Sequence, residues 1–288
     1  MVCVVTTPQK PRFQNSFNDL AEFIQSIKVL GERLESSARG SSLTWLLVSS
    51  TIALLISIPI LTVIINIFVP SGDIWAHLAE TVLPDYIFNS IVLMIGIGIL
   101  SAILGVSTAW LVTMCTFRYR TFFEWALLLP MAIPAYLLAY IYTDFLDVAG
   151  PVQHLIRDLF EVNSRAYWFP EIRSRTGAVI IMSLAFYPYV YLLSRATFLE
   201  QPTSYLEAGR NLGYSTLQSF FRISLPMARP GIFAGLALVL METLNDFGTV
   251  EYFGIQTFTT GIYRTWFGLG ERTAAAQLSA FLLGFIAI

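Results

Sequence analysis

The sequence predicts an all-α, polytopic membrane protein with about six transmembrane helices, the last one truncated where the chain stops. Three observations carry that expectation. The chain of 288 residues is 56% hydrophobic and only 12% charged, with a mean hydropathy of +0.66, outside the range of soluble globular domains. Six apolar segments recur along residues 44–288, most of them close to the roughly 20 residues that cross a bilayer core. The basic residues fall in the polar stretches between them, in a pattern that lets the segments alternate across a membrane. A net charge of −2 excludes an overall basic footprint for nucleic acid. Two cysteines, Cys3 and Cys115, are too few for a disulfide framework and read as inert thiols.

Residues 1–43 are polar and of mixed charge. They contain no apolar core followed by a small-residue cleavage site, so no cleavable signal peptide is expected. Phe17, Leu20, Ile24, Ile27, Leu30 and Leu34 recur at helical spacing, which predicts a cytoplasmic amphipathic segment lying on the membrane or on another subunit; a partly disordered tail is the alternative. The apolar segments follow. Trp45–Val69 and Ile91–Phe117 contain no charged residue. Trp125–Thr143 is punctuated by Pro130 and Pro134, and Gly177–Ser194 contains Pro188, so kinks are expected in both. Pro230–Val250 carries Glu242 and Asp246, and Thr273–Ile288 is apolar to the end of the chain.

Lys10, Arg12, Lys28, Arg33 and Arg39 precede the first segment, and none lies within residues 70–90. Arg118 and Arg120 follow the second segment; Arg195, Arg210, Arg222 and Arg229 surround residues 201–231. The bias places the N-terminus and residues 201–231 in the cytoplasm. Residues 144–176 run against it with Arg157, Arg165, Arg173 and Arg175, but alternation puts them outside. Within them Val152, Leu155, Ile156, Leu159 and Phe160 predict a short amphipathic helix, and Tyr167-Trp168-Phe169 an interfacial anchor.

Residues 201–231, QPTSYLEAGRNLGYSTLQSFFRISLPMARPG, are polar yet carry helix signals. Ser204 with Glu207 fits a capping box, and so does Ser215 with Gln218. Gly213 supplies a left-handed helix end. Pro226 is expected to stop the second helix and Pro230 to begin a span. The result is a compact helix–turn–helix, which by itself could be no more than a well-capped connection.

Glu207-Ala208-Gly209, Gly213 and Ile223-x-Leu225-Pro226 stand at the spacing E-A-A-x3-G-x9-I-x-L-P. This resembles the EAA loop of ABC-importer permeases, with Gly209 replacing the second alanine. The resemblance implies a type I ABC-importer permease fold over residues 44–288, in a multi-pass protein of a bacterial inner membrane. It implies that Glu207, Ala208, Gly209, Gly213, Ile223, Leu225 and Pro226 form an ATPase-coupling loop seated on an ATP-binding subunit pair. The expected partners are that pair, a periplasmic solute-binding protein, a second permease half or subunit, and membrane lipid. No phosphate-binding G-x4-G-K-[ST], H-E-x-x-H or G-x-S-x-G occurs. The chain is therefore read as a translocation subunit and not an enzyme. It binds no cofactor on this reading, ATP and Mg belonging to the partner.

Glu242 and Asp246 stand four residues apart in an apolar run, on one face of a predicted helix about 6 Å apart along its axis. A carboxylate in mid-membrane costs roughly 2.5–3.5 kcal/mol on insertion scales and marks a pathway or a structural pair. Both readings stand at this point: a translocation pathway for a cation or polar solute, or a pair with arginine or backbone on another helix. The run ETLNDFGTVEYFG is similar to ferric-iron importer permeases, which implies ferric iron as cargo, with no metal site firmly assigned. Other importers of this kind, for thiamine, sulfate or phosphonate, share the general pattern, and a passive channel, a secondary transporter and an intramembrane enzyme are the rivals from other classes. Iron permeases of this type carry two EAA halves, so the chain is expected to be one half of a longer two-repeat protein.

Overall fold

The computed structural model describes residues 43–70, 73–161, 163 and 167–287. Among them all regular structure is helical. The amphipathic helix expected within residues 1–43 lies outside the described residues, apart from Leu43. The described residues divide into two compact units, one formed by residues 43–69 and the other lying within residues 70–287.

Helix α1 (Leu43–Asn66) belongs to the first unit. Its 24 residues have a mean hydropathy of 2.4 in their most apolar stretch. Several of the polar side chains it carries bond back to the helix. Thr51, Ser57 and Thr62 donate to the carbonyls of Leu47, Ala53 and Ile58, at 2.7–2.8 Å. In hydrocarbon there is no water to do this, so such back-bonding is what allows a hydroxyl in a span.

In the second unit α2 (Asp73–Thr81) leads into α3 (Leu83–Met114), α7 (Arg175–Glu200) and α11 (Arg229–Asn245), which pack together as the central bundle. The second predicted span begins eight residues early because Pro84 occupies the first turn, where its missing N–H costs nothing. Ser174 caps α7, accepting from the Gly177 amide at 3.1 Å, and the helix continues through Pro188.

α3 shows why lipid is the medium. Phe88, Ile95, Ile99 and Ile103 are 55–59% exposed along one face. The opposite face buries Leu93, Ile97, Ser101, Gly105, Ala109 and Val112. Large apolar groups outside, with Gly98, Ser101, Gly105 and Ala109 among the residues inside, is the pattern of helices associating by close backbone approach in lipid.

Two helices approach α7 closely at Val190, which is fully buried. A Cβ on Gly105 of α3 would lie 2.6 Å from Val190 Cβ and 2.9 Å from the Tyr187 carbonyl oxygen. A Cβ on Gly235 of α11 would lie 2.7 Å from Val190 Cα. One residue of α7 is thus held from two sides by glycines of different helices.

The third predicted span is broken and not merely kinked. α4 (Arg120–Ala126) and a 3-10 turn (Leu129–Ala132) form one limb, and α5 (Ala135–Leu146) with α6 (Pro151–Phe160) the other, bent by 99°. Ile133, just before Pro134, is forced to an extended conformation, φ −112° and ψ 126°, which ends the first limb. Carbonyls at the break are met by α7: Tyr187 donates to Leu127 at 2.8 Å and Tyr191 to Glu124 at 3.2 Å.

The fifth predicted span also departs from expectation. α11 ends at Asn245, the chain turns at Asp246, and α12 (Gly248–Tyr252) and α13 (Phe258–Tyr263) follow before α14 (Arg272–Ala287). By length and apolarity three described helices can cross a membrane, or up to five counting each bent pair as one span, and α14 is a shorter apolar helix. Cys115 is disulfide-bonded, which overturns the inert-thiol reading for that residue.

Replacing Gly105 with valine should force α3 and α7 apart and cost about 1–3 kcal/mol of stability, the usual range for overpacking. Gly284→Ala, where an added Cβ meets nothing within 4 Å, should be neutral or slightly stabilising. Thermal unfolding midpoints of the two variants in lipid nanodiscs check the contrast.

Candidate functional site: the 203–227 helical loop and the end of α11

The loop begins where α7 stops. Gln201 and Pro202 are extended, and the Gln201 side-chain amide donates to the Ser224 carbonyl at 2.8 Å, tying the end of α7 to the far side of the loop. α8 (Thr203–Asn211) starts one residue earlier than the expected cap at Ser204. Its N-cap is Pro202, which makes no side-chain cap bond, so the Ser204–Glu207 capping box does not form. Pro202 ends the preceding helix, and its fixed φ serves the entry to α8 in place of a capping hydroxyl.

The exit from α8 follows expectation. Gly213 has φ +80°. Its amide bonds to the Arg210 carbonyl at 2.9 Å and that of Tyr214 to the Gly209 carbonyl at 3.0 Å. This pair of bonds is the Schellman arrangement that satisfies the last carbonyls of a helix. The second capping box also forms: Ser215 accepts from the Gln218 amide at 3.3 Å, and Gln218 accepts from the Ser215 amide at 2.8 Å.

After α9 (Thr216–Ser219) the helix widens into a π-turn over Phe220–Ser224 and tightens again in α10 (Leu225–Met227). Pro226 therefore does not stop the helix. The Leu225 amide reaches back five residues to Phe220, and the wider turn accommodates a proline that would otherwise collide with the preceding carbonyls. The stop comes at Ala228, where the axis bends by 71° into α11, with Pro230 in its first turn as expected.

These elements sort the predicted coupling residues into two groups. Glu207 and Ala208 are exposed. Gly209 is buried, and a Cβ there would stand 2.6 Å from Ile223 Cδ1. Gly209 and Ile223 are thus the contact joining α8 to the returning helix, and the glycine at this position lets the two close up. Leu225 and Pro226 are half-buried beneath it, and Gly213 forms the exposed turn. Phe220 packs on Trp110 of α3 with ring centroids 4.9 Å apart. The outward side carries Tyr205, Leu212, Leu217 and Phe221, 54–74% exposed. Among the described residues Glu207 makes no ion pair, so the surface offers an unpaired carboxylate together with exposed apolar groups.

The pathway pair separates. Asp246 lies past the last turn of α11, with ψ 128°. Its carboxylate accepts from the Thr249 amide at 2.9 Å, the Val250 amide at 3.1 Å and the Thr249 hydroxyl at 2.9 Å. It binds the first turn of α12 from the residue before the N-cap, Phe247, and the expectation of two carboxylates on one helix face fails for it. A carboxylate two residues before a helix start captures those amides and thereby ends the previous helix. Glu242 remains on α11, exposed, on the face that also carries Phe233, Ala234, Ala237, Leu238 and Met241. It has no ion-pair partner among the described residues. No group of three or more His, Cys, Asp or Glu converges among them to hold a metal.

One functional-looking cluster escaped the sequence. Glu124 of α4 bridges Arg195 of α7 at 3.2 Å and Arg120 at 3.3 Å. It locks the broken third span to the helix that feeds the loop. Glu124 and Arg195 are 71 residues apart, and only their residue types, at the ends of apolar segments, could have hinted at it.

A bundle of apolar helices with a polar helix–turn–helix between two of them defines a polytopic membrane protein. The family comparison agrees. Residues 95–288 match the family described as binding-protein-dependent transport system inner membrane component. The chain belongs to that family. It is 28% identical over 199 residues to the Fe(3+)-transport system permease protein FbpB 2 of Haemophilus influenzae, covering 69% of this chain and 35% of that protein. It is 26% identical to the molybdenum transport system permease protein ModB of Escherichia coli, covering 52% of this chain and 62% of that one. It is also 26% identical to the sulfate transport system permease protein CysT of Salmonella typhimurium, covering 54% and 53%. The chain thus spans from about a third to about three fifths of the length of these relatives. A membrane chain from the crystal structure of a bacterial alginate ABC transporter, in complex with an alginate pentasaccharide-bound periplasmic protein, has the same fold. The TM-score is 0.65 at 15% identity, over 88% of this chain and 93% of that one.

Ser215→Ala should cost about 1 kcal/mol of local helix stability, the usual loss of a cap, whereas Ser204→Ala should cost almost nothing. Amide hydrogen exchange across residues 203–227 distinguishes the two.

Proposed function

We propose that residues 44–288 form the transmembrane domain of an inner-membrane permease subunit in an ATP-driven, binding-protein-dependent importer. On this reading the ATPase resides on a partner pair that carries the ATP and Mg, and this chain catalyses no reaction. A solute-binding protein delivers cargo from outside, and a second permease half or subunit completes the path. The N-terminus and the 203–227 loop face the cytoplasm.

The observation that carries this reading is the build of the loop. Its inner side is fixed by the Gly209–Ile223 contact, the Gln201–Ser224 bond and the Trp110–Phe220 rings. Its outer side presents Glu207 among exposed apolar groups. A partner that closes on ATP needs something stiff to push. The loop meets this need because α7 leads directly into it and α11 directly out of it across the bend at Ala228, so a displacement of the loop is transmitted to both helices. Tilting them against the rest of the bundle exposes the path to one side at a time.

Ferric iron is the cargo we favour, supported by the ETLNDFGTVEYFG run and by the likeness to a permease named for Fe(3+) transport. Carboxylate oxygen suits a hard cation, by extension from the preferences of other hard metals. A second reading, an oxyanion, draws on the likeness to molybdenum and sulfate permeases at similar identity. The capping role of Asp246 leaves Glu242 as the acid available to a passing solute, which is less negative charge than the iron reading first assumed.

Purifying the cognate binding protein and identifying its bound solute by mass spectrometry separates the two cargoes. Glu207→Ala should leave membrane insertion intact while transport-coupled ATPase falls; normal uptake by this variant would remove the coupling role. Glu242→Gln should lower solute flux in proteoliposomes without weakening ATPase binding, and unchanged flux would leave Glu242 outside the pathway.

A further inference from the structure

The connection between α5 and α7 holds a helix that the coupling reading does not use. α6 (Pro151–Phe160) lies at the opposite end of α7 from the 203–227 loop. At about 100° per residue, Val152, Leu155, Ile156, Leu159 and Phe160 share an arc of about 140°, and Gln153, His154, Arg157 and Asp158 share the other. Leu155, Leu159 and Phe160 are 68%, 71% and 66% exposed.

This exposure is imposed by the fold. Gln153 is buried; it donates to the Leu146 carbonyl at 2.9 Å and accepts from the Tyr167 hydroxyl at 2.8 Å. Arg157 reaches the same hydroxyl at 3.5 Å. At the start of the helix Gly150 abuts the carbonyls of Asp144 and Phe145, and a Cβ there would be 2.6 Å from the latter. The turn out of α5 is therefore tight, Gln153 and Arg157 are held inward beside half-buried Val152 and Ile156, and the Leu155–Leu159 edge is held outward next to exposed His154 and Asp158.

We propose that α6 and Trp168 lie in the headgroup–acyl boundary of the bilayer surface opposite the 203–227 loop, as an in-plane strut. Continuity argues for lipid. Ile141, Phe145 and Val148 follow one face of α5 and its exit, 50%, 52% and 57% exposed. They belong to a limb of a bent span, and that apolar face leads directly into the α6 edge. Trp168, 85% exposed, adds an amphipathic ring of the kind that favours this depth. A free helix of this length would bind a membrane weakly. Here the direction is preset and the helix is tethered beside the bilayer, so the ordering cost is already met by the fold. Asp158 and Glu161 offer nothing to anionic lipid, so attachment rests on apolar burial about 5–10 Å deep and is indifferent to salt.

The test uses the full-length assembled permease in nanodiscs, with native cysteines replaced and an environment-sensitive fluorophore on Leu159→Cys or, independently, on Leu155→Cys. Lipid carrying a nitroxide high on its acyl chain should quench the label at low and high salt, and aqueous iodide should not. A label on Asp158→Cys should show the opposite response. Quenching of the Leu159 and Leu155 labels by iodide and not by lipid nitroxide would overturn the proposal. So would protection that appears only when a solute-binding protein is added, which would make the edge a protein-docking surface instead.

Discussion

The contact on which the rest of the structure depends is the two-sided approach to Val190. Gly105 from α3 and Gly235 from α11 both come so near α7 that neither could carry a side chain without moving backbone. In lipid no hydrophobic force drives helices together, so their association rests on van der Waals fit, and the fit is best where glycine lets backbones touch. The three helices so joined are α7, which enters the 203–227 loop, α11, which leaves it, and α3, whose Trp110 supports it. The loop is rigid because the helices that flank it are locked to each other and to its support.

The same close packing gives the breaks in the other spans their place. Pro130 and Pro134 would leave carbonyls unpaired in hydrocarbon, and the tyrosines of α7 supply the missing donors. Glu124 meets Arg195 and Arg120 at the same junction. A charged cluster near the end of α7 is tolerated because it is paired, and it ties an otherwise loosely attached limb to the central bundle. At the end of α11 a carboxylate again replaces helix continuity with a cap, since Asp246 gathers two amides and a hydroxyl that α12 would leave unpaired.

On the proposed reading, membership in a family of binding-protein-dependent permeases and the stiffness of the loop describe one machine from two directions. The family indicates what kind of assembly surrounds the chain. The geometry indicates how force would pass through it: Glu207 and Ala208 face outward for a partner, while Gly209 and Ile223 convert contact at the surface into movement of α7 and α11.

The sequence alone determined the all-helical membrane class, the position of the apolar segments, the motif at 207–226, the left-handed turn at Gly213 and the Ser215 box. These are legible because they depend on local composition or on bonds between near neighbours. Tertiary structure decided the rest. Ser204 could cap a helix, but Pro202 sets the cap and the start two residues earlier. Pro226 would stop an isolated helix, but a π-turn carries the chain past it. Asp246 and Glu242 share a face only if α11 continues, and whether it does depends on the helix that follows. The Val190 sandwich and the Glu124–Arg195 bridge join residues far apart in the chain, and periodicity carries no record of which distant helix a glycine or an arginine will meet.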